Sequence, residues 1–398
     1  MEIYSPTLFI EINKSDYIFL VGDENEQGNF ILIYKCIVPI QGIENYRIIN
    51  FNQVLSDIKK NIYLIESKFN FTFKDTVLII NNFNLSFINL TGFKKLNGSQ
   101  ILKENITYIL NSLKSHVNET ENKKTIIHIF NSKFNLDKKK IENLPIGLFG
   151  DFYSHELSFC LINSNDYNNL NNIFNKCNLK IKKILLKSFA EGSYISNRNK
   201  SLGTFFQIQI DTNNSKIFYF ENHSLKFEQN FNFGTNLIIG DISKVTSLKK
   251  DTVEKIIKNT ILTNNILKDE LISKNFFENS NYIKIKTKLL SDIAEARIEE
   301  ILYKLLIKNI NLFSLNKKNK EIFLKISDKS HLNCFKNIYS SFFSKQALLK
   351  ADFAENISSE DLIKSVNQIV HFGWKKEAVP IIQPQKSLIA RLFDTFFN

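Results

Sequence analysis

Apolar side chains near the start of the chain bunch into short runs at 7–12, 17–22 and 29–37, separated by the polar stretches 13–16 and 24–28. That pattern predicts a meander of three strands. An amphipathic helix over 51–68 and a strand over 76–81 follow. The same order begins again past residue 200. Strands over 204–210, 216–221 and 225–232 are parted by 211–215 and by Asn222-His223. A meander leading into a helix, occurring twice, predicts an internally duplicated α/β protein.

Between the halves lies a block with its own alternation. A helix over 99–116, a charged loop at 118–124 and strands over 125–130 and 154–161 predict a small inserted α+β subdomain at about 83–163. The stretch 243–314 reads as mostly helical; its clearest element, 284–309, sets Leu289, Ile293, Ile298, Ile301, Leu302 and Leu305 on one broad face. A strand over 321–326 and helices near 330–342 and 358–371 complete the second half. Pro380 and Pro384 then bracket a linker. In the closing SLIARLFDTFFN, Leu388, Ile389, Leu392, Phe393, Phe396 and Phe397 recur at i, i+1, i+4, i+5, i+8 and i+9, one stripe of a helix. Arg391 and Asp394 lie on its other side, and Lys386 stands at its entrance. This is the pattern of a helix that lies on an anionic membrane surface.

Composition adds bounds. A chain of 398 residues has room for two or three domains, and its 43% hydrophobic content excludes a wholly disordered chain. The net charge of +12 points toward an anionic partner. Nearly all of it is Lys, however, with Arg only at 47, 198, 297 and 391, and Lys, Asn and Ile crowd the sequence together. Genome-wide compositional bias produces that mixture, so most of the charge reads as a solvated surface. The four cysteines are far apart and form neither a zinc set nor a secreted disulfide framework. Cys36, Cys160 and Cys177 sit within apolar patterns and are expected to be buried thiols. The start lacks the pattern of a signal peptide, and no apolar run approaches the length of a membrane span; the expectation is a peripheral protein on the cytoplasmic side.

Several chemistries are excluded by motif. Neither G-x-G-x-x-G nor a phosphate-binding P-loop occurs. His155-Glu156-Leu157-Ser158 begins like a zinc protease helix but lacks the second His and has the alternation of a strand. The abundant Phe and Tyr follow core periodicity rather than interleaving with a basic stripe, so a nucleic-acid partner is not expected. No catalytic residue and no metal site is assigned.

A resemblance emerges from stretches taken in order. LFIEINKSDYIFLVGD at 8–23, the run Gly147–Gly150 with the strand and helix after it, Asn232-Phe233-Gly234-Thr235-Asn236 through Gly240-Asp241-Ile242, and IAEARIEEI at 293–301 stand in one sequence with a proline-containing linker and an amphipathic tail. Together they resemble the FtsA family of bacterial cell-division proteins, within the actin-like ATPase superfamily. The resemblance implies a duplicated actin-like (ribonuclease H-like) fold. It implies subdomain 1A at 1–82 and 164–200, an inserted subdomain 1C at 83–163, subdomain 2A at 201–242 and 315–375, subdomain 2B at 243–314, a linker at 376–386 and a membrane-targeting helix at 387–398.

The same resemblance implies a nucleotide site at Glu11, Asn13, Lys14, Asp211, Asn213 and Gly234, for ATP with magnesium. Here the sequence departs from the family. The first phosphate turn, Asp-Ile-Gly-Thr in relatives, is Glu11-Ile12-Asn13-Lys14, and the second, Asp-Ile-Gly-Gly-Gly-Thr, is Gln209-Ile210-Asp211-Thr212-Asn213-Asn214. A later Thr-Gly-Gly turn is Lys325-Ile326-Ser327. Each lost Gly adds a Cβ where backbone would approach phosphate. The expectation is a pseudo-ATPase rather than an enzyme, with Glu11 and Lys14 the residues left to contact a nucleotide.

By resemblance the function is an adaptor that tethers FtsZ filaments to the cytoplasmic face of the cell membrane at the division site. The FtsZ C-terminal peptide would dock near Glu295, Arg297 and Glu300. Other division proteins would meet 1C, self-assembly would occur, and Leu388, Ile389, Arg391, Leu392, Phe393, Phe396 and Phe397 would bind the membrane, the six apolar residues entering it and Arg391 meeting its anionic headgroups. The alternatives are an actin-fold pilus adaptor of the PilM type, or a weak actin-like ATPase.

Overall fold

The computed structural model describes residues 6–44, 47–81, 83–199, 202–262, 270–277, 282–313, 320–346 and 349–378. The helix expected at 387–398, with its seven membrane-binding residues, lies outside them. The chain forms two compact units. The first holds the described residues of 1–190, 222–226 and 362–378; the second holds those of 191–221 and 227–361.

In the first unit, β1 (Thr7–Ile12), β2 (Asp16–Glu24) and β3 (Phe30–Pro39) form the expected antiparallel meander. The short pair β4 (Ile43–Glu44) and β5 (Arg47–Ile48) leads into α1 (Phe51–Phe69). Asn50 caps α1 by accepting from the Gln53 amide at 3.1 Å, and Asn70 ends it in a left-handed conformation. Val54, Ile58, Ile62 and Ile65 form its buried stripe. Strand β6 (Asp75–Ile80) then pairs parallel with β1.

A separate sheet follows, built from β7 (Leu85–Lys95), β8 (Lys124–Leu136), β9 (Lys139–Ile141) and β10 (Phe152–Asn163) in the order β7-β10-β8-β9. Helix α2 (Lys103–Thr120) packs Leu110 and Val117 against Leu157, Phe159 and Leu161 of β10. The chain returns through α3 (Ser164–Lys176) to β11 (Lys180–Leu186), parallel to β6, and enters α4 (Lys187–Arg198). The order of the main sheet is therefore β11-β6-β1-β2-β3.

The second half repeats this plan. Its strands are β12 (Phe205–Ile210), β13 (Ser215–Glu221) and β14 (Ser224–Phe231), followed by α5 (Asn236–Thr246), α6 (Lys250–Asn259) and α7 (Thr287–Leu302). A π-helical turn, Tyr303–Ile307, extends α7, and α8 (Ile310–Phe313), β15 (Lys320–Ile326), α9 (Lys329–Ser344), β16 (Leu349–Phe353) and α10 (Ser359–Phe372) follow. The sheet order β14-β13-β12-β15-β16 matches that of the first: a meander whose first strand takes two further strands parallel on its free side. The central strands, TLFIEI and FFQIQI, are buried almost throughout, which is why they read as near-continuous apolar runs.

Three expectations need correction. Helix α2 starts at Lys103 rather than 99, because the residues before it bond to another loop: Ile101 N donates to Leu148 O at 2.8 Å and Gly147 N to Ile101 O at 2.9 Å. The proposed linker does not begin at 376. Asn131 N donates to Lys376 O at 2.6 Å, Ala378 N donates to Ile129 O at 2.8 Å, and Ala378 is buried with α2 and β10. The charged run Lys375-Lys376-Glu377 looks solvated, yet it closes on the edge of β8. Finally, all four cysteines are free thiols, but Cys36 and Cys177 are half-buried while Cys160 is fully buried as expected.

Candidate functional site

The hairpin between β1 and β2 carries the first expected turn. Asn13 N donates to Asp16 O at 2.9 Å, and the Asn81 amide, at the end of β6, donates to Asn13 Oδ1 at 3.3 Å. Lys14 is exposed. Glu11 is 2% exposed and is held by the Lys187 ammonium at 2.6 Å. That cation comes from the first residue of α4, 176 positions away, so nothing local in the sequence points to it. A buried carboxylate in contact with an ammonium is neutralised within the protein.

The second turn belongs to the other unit. Asp211 N donates to Asn214 O at 2.9 Å, closing the hairpin between β12 and β13. Both Asp211 carboxylate oxygens are occupied: Gln209 Nε2 donates to Oδ1 at 2.8 Å, Asn214 Nδ2 to Oδ2 at 3.1 Å, and the Ser327 hydroxyl also reaches Oδ1. Asn213 accepts from the Asn236 side chain at 2.5 Å. The segment before α5 lies flat on this turn. Thr235 N donates to Asp211 O at 3.0 Å and Asn236 N to Thr212 O at 2.9 Å. Gly234 is needed there, because a Cβ would stand 2.1 Å from the Asp211 carbonyl oxygen. The third turn residue, Ser327, joins the second turn through Asp211. Among the described residues no group of three or more His, Cys, Asp or Glu is arranged to hold a metal ion.

The partner residues sit on α7. Arg297 Nε bonds Asp241 of α5, and its Nη1 reaches Glu300; the hydrogen bond to Asp241 raises the guanidinium above its ordinary value. Lys304 binds Glu300 at 2.6 Å, and that hydrogen bond lowers the carboxyl's pKa. Lys345, at the end of α9, reaches Glu299 at 2.8 Å and Glu295 at 3.2 Å. Between α7 and α9 runs a shallow groove of about 360 Å³ whose lining includes Glu299, Glu300, Tyr303, Phe342 and Lys345. Of the three expected docking residues, Glu300 lines the groove, Glu295 is joined to its rim through Lys345, and Arg297 points to α5.

No family model matches the chain. It is 23% identical over 317 residues to the "Cell division protein FtsA" of Buchnera aphidicola subsp. Schizaphis graminum, covering 78% of this chain and 74% of the relative. To the protein of the same name from Buchnera aphidicola subsp. Acyrthosiphon pisum it is 21% identical over 381 residues, covering 92% and 90%. Its fold is similar to a solved "PilM-PilN type IV pilus biogenesis complex" chain, with TM-score 0.51, 10% identity and coverage of 93% and 97%. This is a divergent FtsA-like protein of the actin fold.

For this FtsA-like chain the duplicated α/β architecture read from the strand pattern is the observed one. Sequence reasoning missed the groups that answer the site residues: Lys187 for Glu11, Asp241 for Arg297 and Lys345 for Glu295. Lys187 and Lys345 are ordinary lysines in a charged sequence, and Asp241, though part of the family-like segment at 232–242, carries no local sign of its tie to Arg297. Among the described residues no helix is long and apolar enough to cross a membrane.

Proposed function

We propose that this protein is a cell-division adaptor that tethers FtsZ filaments to the cytoplasmic face of the cell membrane at the division site and helps assemble the division ring. The observation that carries the reading is likeness to FtsA over most of the chain. The α7–α9 groove supports docking of the FtsZ C-terminal peptide. It offers apolar surface at Tyr303, which is 43% exposed, and a mixed-charge rim at Glu299, Glu300 and Lys345. Arg297 then orients Glu300 from behind rather than touching the peptide. Exposed Phe93, Tyr108 and Phe149 on the α2–β10 block, the counterpart of 1C, support contacts with other division proteins or further copies of the chain. The stretch 387–398, amphipathic in its sequence pattern, serves as the membrane anchor. One such helix binds reversibly, so firm attachment needs several anchors joined by self-assembly or by a shared filament.

We further infer that the nucleotide site is degenerate. Magnesium needs open carboxylate or water positions, and here three donors already occupy the Asp211 carboxylate, leaving room only on Oδ2, while Glu11 is bound to Lys187. The purified protein is expected to show no ATP turnover. Phosphate release above a protein-free blank, abolished by Glu11→Ala, would refute this.

Co-sedimentation with anionic lipid vesicles, with and without FtsZ, tests the tether. The chain is expected to pellet with vesicles and to carry FtsZ with it. Phe393→Asp should leave both in the supernatant. Lys345→Glu, which places a third acid beside Glu295 and Glu299, should leave the chain on the vesicles but FtsZ in solution. If FtsZ never pellets with the vesicle-bound chain, the tether reading fails and the pilus-type adaptor, which rests on the fold alone, takes its place.

A further inference from the structure

A cavity of about 900 Å³ lies wholly within the second unit, and its lining shares no residue with the turn at 211–214 or with the α7–α9 groove. It sits over one face of the sheet. Phe206, Ile208 and Ile210 of β12 belong to the core formed with α5 and α9, so the strand alternation sends Gln207 to the opposite face. There Gln207 meets Glu191 of α4 and Lys325 of β15, while β16 and the loop 354–358 form the outer wall. The volume falls in the range of small-ligand sites.

The floor of this cavity holds an unanswered acceptor. Gln207 is 2% exposed, and its Nε2 donates to Glu191 Oε2 at 2.8 Å. A carboxylate only accepts, so the amide must turn its NH₂ toward Glu191, and Oε1 faces away from it. Gln207 Oε1 has no partner among the described residues. Buried acceptors are normally satisfied, and a donor entering the cavity would satisfy this one.

The charge of the walls indicates which donor. Glu191 is balanced by Lys325 at 3.2 Å, and Glu321 by Lys350 at 3.5 Å. Asp352, Glu355 and Asp361 remain, and among the described residues Asp361 accepts a side-chain hydrogen bond only from the Ser358 hydroxyl, at 2.8 Å. Against them stands Arg198, whose guanidinium lies over the Tyr194 ring at 5.5 Å. The wall is thus acidic in a chain of net charge +12. Between floor and rim, Phe323 provides apolar contact; the Phe353 ring lies on the other face of the sheet, under Lys336 of α9.

We propose that this cavity binds a small alkyl polycation of the polyamine class. One ammonium donates to Gln207 Oε1, the methylene stem lies against Phe323, and a second ammonium sits among Asp352, Glu355 and Asp361. The proposal is independent of the FtsZ reading. Calorimetric titration of the full chain with spermidine should show saturable binding at one site. Gln207→Leu, which removes the acceptor, should weaken it about tenfold. The double variant Asp352→Asn, Glu355→Gln changes only exposed positions and should do the same, which keeps the test open if Gln207→Leu fails to fold. Absence of saturation at millimolar spermidine overturns the proposal, as does unchanged affinity in the double variant. Displacement of spermidine by magnesium at equal charge concentration also overturns it, because diffuse screening would then account for the heat.

Discussion

Replacing His331 by Phe should remove about 2 kcal/mol of the stability that the protein loses between pH 7 and pH 5. His331 is 1% exposed, bonded through Nε2 to the Tyr339 hydroxyl at 3.2 Å and packed at a tilt against Phe335, while its Nδ1 has no partner among the described residues. Burial lowers its pKa to about 4, against the opposing charge of Asp328. The sign follows from linkage. Between the ordinary value near 6.5 and the folded value near 4, the unfolded chain binds a proton that the folded chain refuses, so stability falls as pH falls through that window. Glu228 works the other way in the same unit, because burial pushes its carboxyl up. The comparison of variant with wild type isolates the ring. His155 makes the equivalent case in the first unit, 0% exposed with its pKa lowered to about 4 by burial and then by the Lys376 charge. Urea unfolding at the two pH values reads the difference. A His331→Phe protein whose stability falls with pH as steeply as the wild type's would show that the ring does not titrate as its surroundings dictate.

Glu377→Ala should destabilise the first unit by about 3 kcal/mol. Its carboxylate, on the segment that closes on β8, bridges His128 Nδ1 at 2.9 Å and Lys183 Nζ at 2.6 Å, with the His and Glu side chains almost wholly buried. Burial alone would raise the carboxyl; the His128 hydrogen bond and the Lys183 charge prevail and hold it below its usual range. Its contribution is therefore present above the ordinary carboxylate pKa and lost as pH falls through the lower, folded value. Truncation leaves the Lys183 ammonium without its carboxylate and His128 Nδ1 without a partner, on a ring whose Nε2 already has none among the described residues. Lys183→Met in the Glu377→Ala background should then cost much less than it does alone. Additive losses in that cycle, or a single-variant cost under about 1 kcal/mol, would show that the bridge contributes little. Trp374 Nε1 still donates to His223 O at 2.8 Å, so the variant should keep vesicle binding if the anchor works independently of the bridge.

Much of this architecture is legible from short-range pattern. The runs TLFIEI and FFQIQI are apolar nearly throughout because each is the central strand of its sheet, and α1 shows its buried stripe at helical spacing. The duplication was readable because both halves spell the same order of such elements. By contrast, β7 (LSFINLTGFKK) has no fully buried residue and carries polar side chains among its apolar ones, so its pattern does not announce a strand. The chemistry of the expected nucleotide turns was visible only as missing glycines. Tertiary structure decided what became of the acids that remain. Glu11 is bound to a lysine 176 positions away, Asp211 to a serine 116 away, and Glu377 to a histidine 249 away. Periodicity records which side of an element faces the core, because that depends on neighbours within a turn or a pleat. The partner of a buried charge is set by how distant segments pack, and no local pattern along the chain carries that information.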